Sequence, residues 1–121
     1  MAIRGKCHCG GIEFEVSEAP TSVTRCTCTF CAKRGMLMAY YPPEKFKLIS
    51  ARTRVGYSSH PEVHTHFHCG TCGCGTHSDS PVWEDFKMVP GRRQVPVNVR
   101  LLEDFDLESL PVTVIDGKNL W

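Results

Sequence analysis

Cys7-His8-Cys9-Gly10-Gly11-Ile12-Glu13-Phe14-Glu15-Val16 carries two signals in ten residues. The first is a Cys-x-Cys clip closed by two glycines. The second is a strict alternation that puts Ile12, Phe14 and Val16 on one face and Glu13 and Glu15 on the other, the period of a half-buried strand. A metal-type turn opening directly into a strand predicts a β fold with cysteines on its loops.

Working outward, the same alternation recurs. Phe46-Lys47-Leu48-Ile49 reads as a strand, preceded by one helical turn at Pro43-Glu44-Lys45. Met36 to Tyr41 is an apolar run too short for a helix and stopped by Pro42-Pro43, so it reads as a buried strand. Val63 to Cys69 alternates, with Val63, Thr65, Phe67 and Cys69 on one face and His64, His66 and His68 on an exposed polar one. Val95 to Leu101 alternates too, and Pro96 argues for a strand start or a sheet edge there. Gly73 to Pro81, rich in Gly, Ser, Thr and Asp, reads as loop, with Trp83 and Phe86 as anchors. Leu107 to Leu110 suggests a helical turn, Val112 to Ile115 a last strand and Asp116-Gly117 a turn. Nothing repeats, and no long segment shows a 3.6-residue period, so the chain reads as mainly β.

Composition bounds the function. The 121 residues, 41% hydrophobic, suit one domain over 1–121 with a small core. Fourteen Lys and Arg against 13 Asp and Glu, with no basic run beyond Lys33-Arg34 and Arg92-Arg93, leave no electrostatic footprint for nucleic acid. No apolar stretch is long enough for a membrane helix. The first residues lack the apolar segment of a secretory signal, so the expected location is the cytoplasm, where thiols stay reduced. A disulfide framework is the competing reading of eight cysteines. Their share, about 7%, is below that of disulfide scaffolds, and Cys-x-Cys pairs bridge poorly.

Seven of the eight fall into three groups: Cys7 with Cys9, Cys26 with Cys28 and Cys31, and Cys69 with Cys72. Thiolates one or two residues apart wrap a tetrahedral ion at about 2.3 Å per bond. Glycines follow both Cys9 and Cys72, where a tight turn must aim N–H groups at sulfur. Joining these two clips gives a closed four-thiolate zinc site that supports the fold. Cys26, Cys28 and Cys31 then make a three-thiolate zinc site whose fourth position is open to water or substrate, and such a site suits an incoming thiol. Two zinc ions are expected, one structural and one catalytic. Lys33 and Arg34 follow the open group and would favour an anionic substrate, or are ordinary solvated charges. Cys74 is the alternative fourth ligand of the middle group; a buried or free thiol is the preferred reading. Among the histidines, His8 points away from a metal held by its neighbours and His60 before Pro61 is turn material, while His77 is a candidate proton shuttle.

The pattern Gly5-x-Cys7-x-Cys9-Gly10-x-Ile12-x-Phe14, Cys26-x-Cys28-x-x-Cys31-x-Lys33-x-Gly35 and Phe67-x-Cys69-x-x-Cys72-Gly73 resembles the glutathione-dependent formaldehyde-activating enzyme family, which includes centromere protein V. Val97 to Leu101 and Asp116-Gly117 are similar to segments of its bacterial members. The resemblance implies a β-tent fold of packed antiparallel sheets, a structural zinc on Cys7, Cys9, Cys69 and Cys72, and a catalytic zinc on Cys26, Cys28 and Cys31. It also implies condensation of formaldehyde with glutathione to S-hydroxymethylglutathione, classed as a carbon–sulfur lyase. Arg34, Trp83, Arg100 and His77 are the substrate-pocket candidates by chemistry. The alternative is a non-catalytic zinc module that binds glutathione, another thiol or a protein partner.

Overall fold

The computed structural model describes residues 2–85 and 87–120. Among these residues ten strands form two sheets. The smaller has the order β1-β2-β5, built from β1 (Ile3–Lys6), β2 (Ile12–Val16) and β5 (Phe46–Ala51), all antiparallel. The larger runs β10-β3-β4-β9-β8-β7-β6. Its strands are β3 (Val23–Cys26), β4 (Met38–Tyr41), β6 (Arg54–Tyr57), β7 (Thr65–Cys69), β8 (Gly75–Glu84), β9 (Lys87–Asn98) and β10 (Val112–Ile115). β10 lies parallel to β3, and the other pairs are antiparallel. The fold is mainly β, and among the described residues no helix is long and apolar enough to cross a membrane.

Alternation in β2 does what the sequence requires. Ile12, Phe14 and Val16 are fully buried, while Glu13 and Glu15 on the other face reach Arg4. Phe14 and Val16 pack with Val23, Leu37, Ala39, Tyr41, Val97, Val99 and Leu102. Fully burying such side chains contributes roughly 1.5–3 kcal/mol each. Phe14 lies against the backbone of Gly5, where any Cβ would collide with its ring. The turn at Pro43–Lys45, the strand from Phe46, the turn at Leu107–Ser109 and the strand Val112–Ile115 stand where the pattern puts them.

Several segments differ from expectation. Gly73 to Pro81 is not a loop: from Gly75 onward it is β8, paired on both sides with β7 and β9. Its small polar side chains are satisfied inside the sheet, Thr76 Oγ1 donating to the Phe67 carbonyl and Ser78 Oγ meeting His66 Nδ1, so pairing overrides loop-like composition. Pro96 is neither a strand start nor an edge. It sits within β9 opposite Tyr40, buried, while the ladder to β8 passes from Val97 directly to Gln94. Val99–Leu101 leaves the strand as a 3₁₀ turn capped by Asn98 Oδ1. Within Met36 to Tyr41 only Met38–Tyr41 is strand, and Tyr40 is 45% exposed. β7 begins at Thr65, leaving Val63 and His64 in the preceding turn. Asp116 does not make a simple turn: it caps a short helix α2 (Gly117–Leu120), accepting from the Asn119 and Leu120 N–H groups. Trp83 is 51% exposed near the tip of the β8–β9 hairpin, paired opposite Met88 in the sheet and not packed under a loop; Phe86 lies outside the described residues.

Candidate metal centres

The first centre joins one turn from each sheet. Cys7 and Cys9 lie between β1 and β2, where the Gly10 N–H bonds the Cys7 carbonyl and Gly10 takes a left-handed φ of 81°. Cys69 ends β7, and Cys72 follows in a turn closed by the Gly73 N–H on the Cys69 carbonyl, with Gly73 at φ 85°. These conformations favour glycine. The four sulfurs lie within 4.8 Å of one another. The separations Cys7–Cys9, 3.8 Å, and Cys9–Cys69, 3.5 Å, match the edge of about 3.8 Å of a tetrahedron with 2.3 Å metal–sulfur arms.

Backbone N–H groups are aimed at these sulfurs: Thr71 and Cys72 donate to Cys69 Sγ and Ile12 donates to Cys7 Sγ, each at 3.3 Å. The Cys72 N–H and the Thr53 hydroxyl 3.1 Å from Cys69 Sγ stabilise its thiolate, holding the thiol at about 5. A group of four ionisable thiols inside a ring of donors fits a metal ion, with no fifth position left among them.

Cys26, Cys28 and Cys31 form the second centre, their sulfurs also within 4.8 Å of one another. Cys26 ends β3, Cys28 caps the helix α1 (Thr29–Arg34) by accepting the Cys31 N–H, and Cys31 lies on its first turn. The helix ends at Gly35 in the left-handed region, with Gly35 N–H on Ala32 O and Met36 N–H on Cys31 O, a Schellman closure. The loop is held from outside by the C-terminal segment. The Thr27 N–H bonds the Ile115 carbonyl, and the Thr27 hydroxyl donates to Asp116 while accepting the Lys118 N–H.

Burial pushes the Cys26 and Cys31 thiols up. Burial also opposes ionisation of Cys28, but the Cys31 N–H and the neighbouring thiols outweigh it and hold Cys28 below the ordinary thiol range. Among the described residues no fourth Cys, His, Asp or Glu joins this group. Cys74 does not reach it: its carbonyl accepts the Cys69 N–H, and its side chain packs with Cys7, Ile12 and Cys69 beside the first centre. The two clusters can each hold a metal ion, one closed and one open.

The family model described as "Glutathione-dependent formaldehyde-activating enzyme" matches residues 2–98, which include all seven clustered cysteines. The chain belongs to this family. A solved crystal structure of a Rhodobacter sphaeroides protein is similar to it, with a TM-score of 0.70 and 27% identity over 91% of this chain and 99% of that one. The match to the formaldehyde-activating family stops before β10 and α2, so the segment that holds Thr27 lies beyond the matched residues.

Other candidates separate clearly in this family member. His77 is 4% exposed, its ring 4.9 Å from both Phe46 and Phe67 and its Nδ1 3.0 Å from Thr76 Oγ1. It is a core residue, and burial brings its pKa to about 4. His64, His66 and His68 are not an exposed face. All are half-buried, and His66 stacks on Phe30 of α1 at 4.1 Å. His60 lies in the expected turn. Trp83 stands opposite Met88 near a hairpin end, and Arg100 donates to the Gly35 carbonyl at the end of α1. Arg34 lies over the Phe30 ring, Cζ 4.8 Å from its centroid. Tyr40 is a residue the sequence reading missed. Burial pushes its hydroxyl up to about 12, and charge on Cys31, Cys26 and Cys28 adds to the effect, so it is a phenol at neutral pH beside the open cluster. Only the pairing of its strand β4 with β3, which ends in Cys26, could have signalled this.

Proposed function

We propose that this chain, as one domain over 1–121, is a zinc-dependent enzyme of the carbon–sulfur lyase type, joining a small glutathione-like thiol to formaldehyde or a related small electrophile. The observation that carries the reading is the asymmetry of the two clusters: four thiols in one and three in the other, with Cys74 drawn to the closed one. Cys7, Cys9, Cys69 and Cys72 would hold a structural zinc, and Cys26, Cys28 and Cys31 a catalytic one. Zinc in the open cluster would supply the positive charge that keeps an incoming thiol ionised at neutral pH.

The chain's own groups do the rest. The three thiols, held by the end of β3 and the first turn of α1, would fix where the substrate sulfur sits. The new bond runs from that sulfur to the carbonyl carbon, the C=O π pair moves to oxygen, and the oxygen takes a proton while the thiol has given one up. Tyr40, protonated at neutral pH, is the donor available for that developing alkoxide. The reverse sequence releases thiol and aldehyde. A reducing compartment such as the cytoplasm keeps all seven thiols free for metal.

Zinc-loaded protein should accelerate loss of formaldehyde with glutathione above the spontaneous rate, and Cys28→Ser should remove the acceleration. If zinc-loaded protein binds thiols yet gives no acceleration with any aldehyde tried, the non-catalytic thiol-binding module is the better description. That second reading is favoured by one observation: neither of two shallow cavities, of about 330 and 390 Å³, includes a thiol of the open cluster.

A further inference from the structure

Arg34 and Lys33 look alike in sequence, but their surroundings differ. Lys33 is exposed on α1. Arg34 is half-buried, its guanidinium stacked on Phe30 and its Nη2 3.0 Å from the point where a Cβ on Gly75 would stand. Gly75 begins β8, so α1 lays this side chain across the sheet at a place where the absence of a side chain leaves room for it. Three other arginines pair with carboxylates, Arg4 with Glu13, Arg92 with Glu84 and Arg93 with Asp79, while Arg52 and Arg100 donate to backbone carbonyls, and Arg25 and Arg54, which have no acidic partner among the described residues, are exposed. Among the described residues Arg34 has no acidic partner and makes no hydrogen bond.

A half-buried guanidinium with five donors and no acceptor is a fork waiting for an anion. Cys31 lies one turn earlier on the same helix, at a separation that brings Cβ atoms to about 5–6 Å. His66, the nearest stacked partner of Phe30, is held neutral by burial, with a pKa of about 4, and so adds no second positive charge that would compete for an anion. Phe30 and Gly75 fix the direction of the fork, because one supports its face and the other admits its edge.

We infer that Arg34 is a specificity-determining residue of the open cluster, selecting thiols that carry a carboxylate a few bonds from sulfur, with Phe30 and Gly75 positioning its guanidinium. This rests on the reading of Cys26, Cys28 and Cys31 as a centre that accepts a thiol. It adds to that reading the chemical class of thiol and the residue that enforces it. No bond to Arg34 forms or breaks; the carboxylate is bound as an ion pair with two parallel N–H donors.

The test uses the cobalt-loaded protein, whose visible absorption reports a new sulfur ligand, titrated with mercaptoalkanoic acids of increasing length and with the neutral amide of each. Wild type should bind the acid about tenfold or more tightly than its amide at one or more lengths. Arg34→Gln should bring that ratio to within twofold while leaving amide affinity unchanged. Gly75→Ala, which retains the charge but puts a methyl against Arg34 Nη2 and the flexible end of Met36, should lower the ratio several-fold, and it keeps the test decisive if Arg34→Gln folds poorly. Thiol binding without acid preference at any length, or a preference that survives Arg34→Gln, overturns the inference and leaves the thiol-centre reading intact. If no thiol changes the cobalt spectrum, that underlying reading falls and the inference falls with it.

Discussion

Replacing His77 by Phe should flatten the response of stability to acid. The ring lies between Phe46 and Phe67, with the Arg54 guanidinium on Phe67 adding its charge, and burial followed by Arg54 brings the pKa from 6.5 to about 4. A base whose pKa is depressed on folding binds its proton more readily when unfolded. The unfolded chain therefore takes up the proton first as pH falls, and stability present above about 6.5 is lost progressively down to about 4. At about 1.4 kcal/mol per unit the full effect is about 3 kcal/mol, of which about 2 kcal/mol accrues between pH 7 and pH 5. Urea unfolding of wild type and His77→Phe at the two pH values measures it. Acid loss of metal affects both proteins alike, so the difference between them isolates the imidazole. Phe should fit between the two rings at neutral pH, and Thr76 Oγ1 keeps its bond to the Phe67 carbonyl. The variant should lose about 2 kcal/mol less than wild type on going to pH 5 and should keep its activity at pH 7, since a ring sealed in the core cannot shuttle protons. Equal losses in the two proteins, or a dead but folded variant, would refute the reasoning.

The two thiol clusters should respond differently to single substitutions. Cys69→Ser should cost several kcal/mol and reduce bound zinc from two ions per chain to one, read by metal analysis and thermal melting. Cys28→Ser should leave the melting curve within a few degrees of wild type while ending thiol binding; comparable unfolding of the two variants would contradict the division of roles. Tyr40→Phe should lower kcat at least tenfold with little change in KM for the thiol, because the donor acts on the developing alkoxide. Gly11→Ala should destabilise by about 1–3 kcal/mol and weaken metal retention together, since the added methyl would strike Thr53, whose hydroxyl lies 3.1 Å from Cys69 Sγ; retention unchanged despite the loss of stability would break that link.

What the sequence made legible follows its local physics. The burial of Ile12, Phe14 and Val16 is a two-residue period expressed against one core, and it needs no knowledge of partners. The knuckles at Cys7–Gly10 and Cys69–Gly73 are likewise local, because ligand spacing and left-handed glycines define each turn. β8 was hidden because its strand character comes from β7 and β9 on either side, which accept a segment of Gly, Thr, Ser and Asp that would be loop by composition. Pro96 misled for the same reason: its missing N–H falls where the ladder to β8 is interrupted. His77 and His66 resemble surface or functional histidines until the phenyl rings that cover them are placed. Arg34 and Lys33, adjacent and of like charge, become different residues only once α1 is laid over Gly75.

The closed cluster also sets an order of events during synthesis and folding. Cys9 and Cys69, whose sulfurs lie 3.5 Å apart, are 60 residues apart in the chain. Clamping such a loop removes about 4 kcal/mol of unfolded-chain entropy by the cross-link estimate, against about 2 kcal/mol for the short Cys26–Cys31 stretch. The open cluster has all its ligands once residue 31 has been made and can capture an ion from a nascent chain. The closed cluster must wait for residue 72 and for both sheets to approach. An ion held there would thus be a latch that records completed assembly, whereas the open cluster could be charged before the fold around it exists.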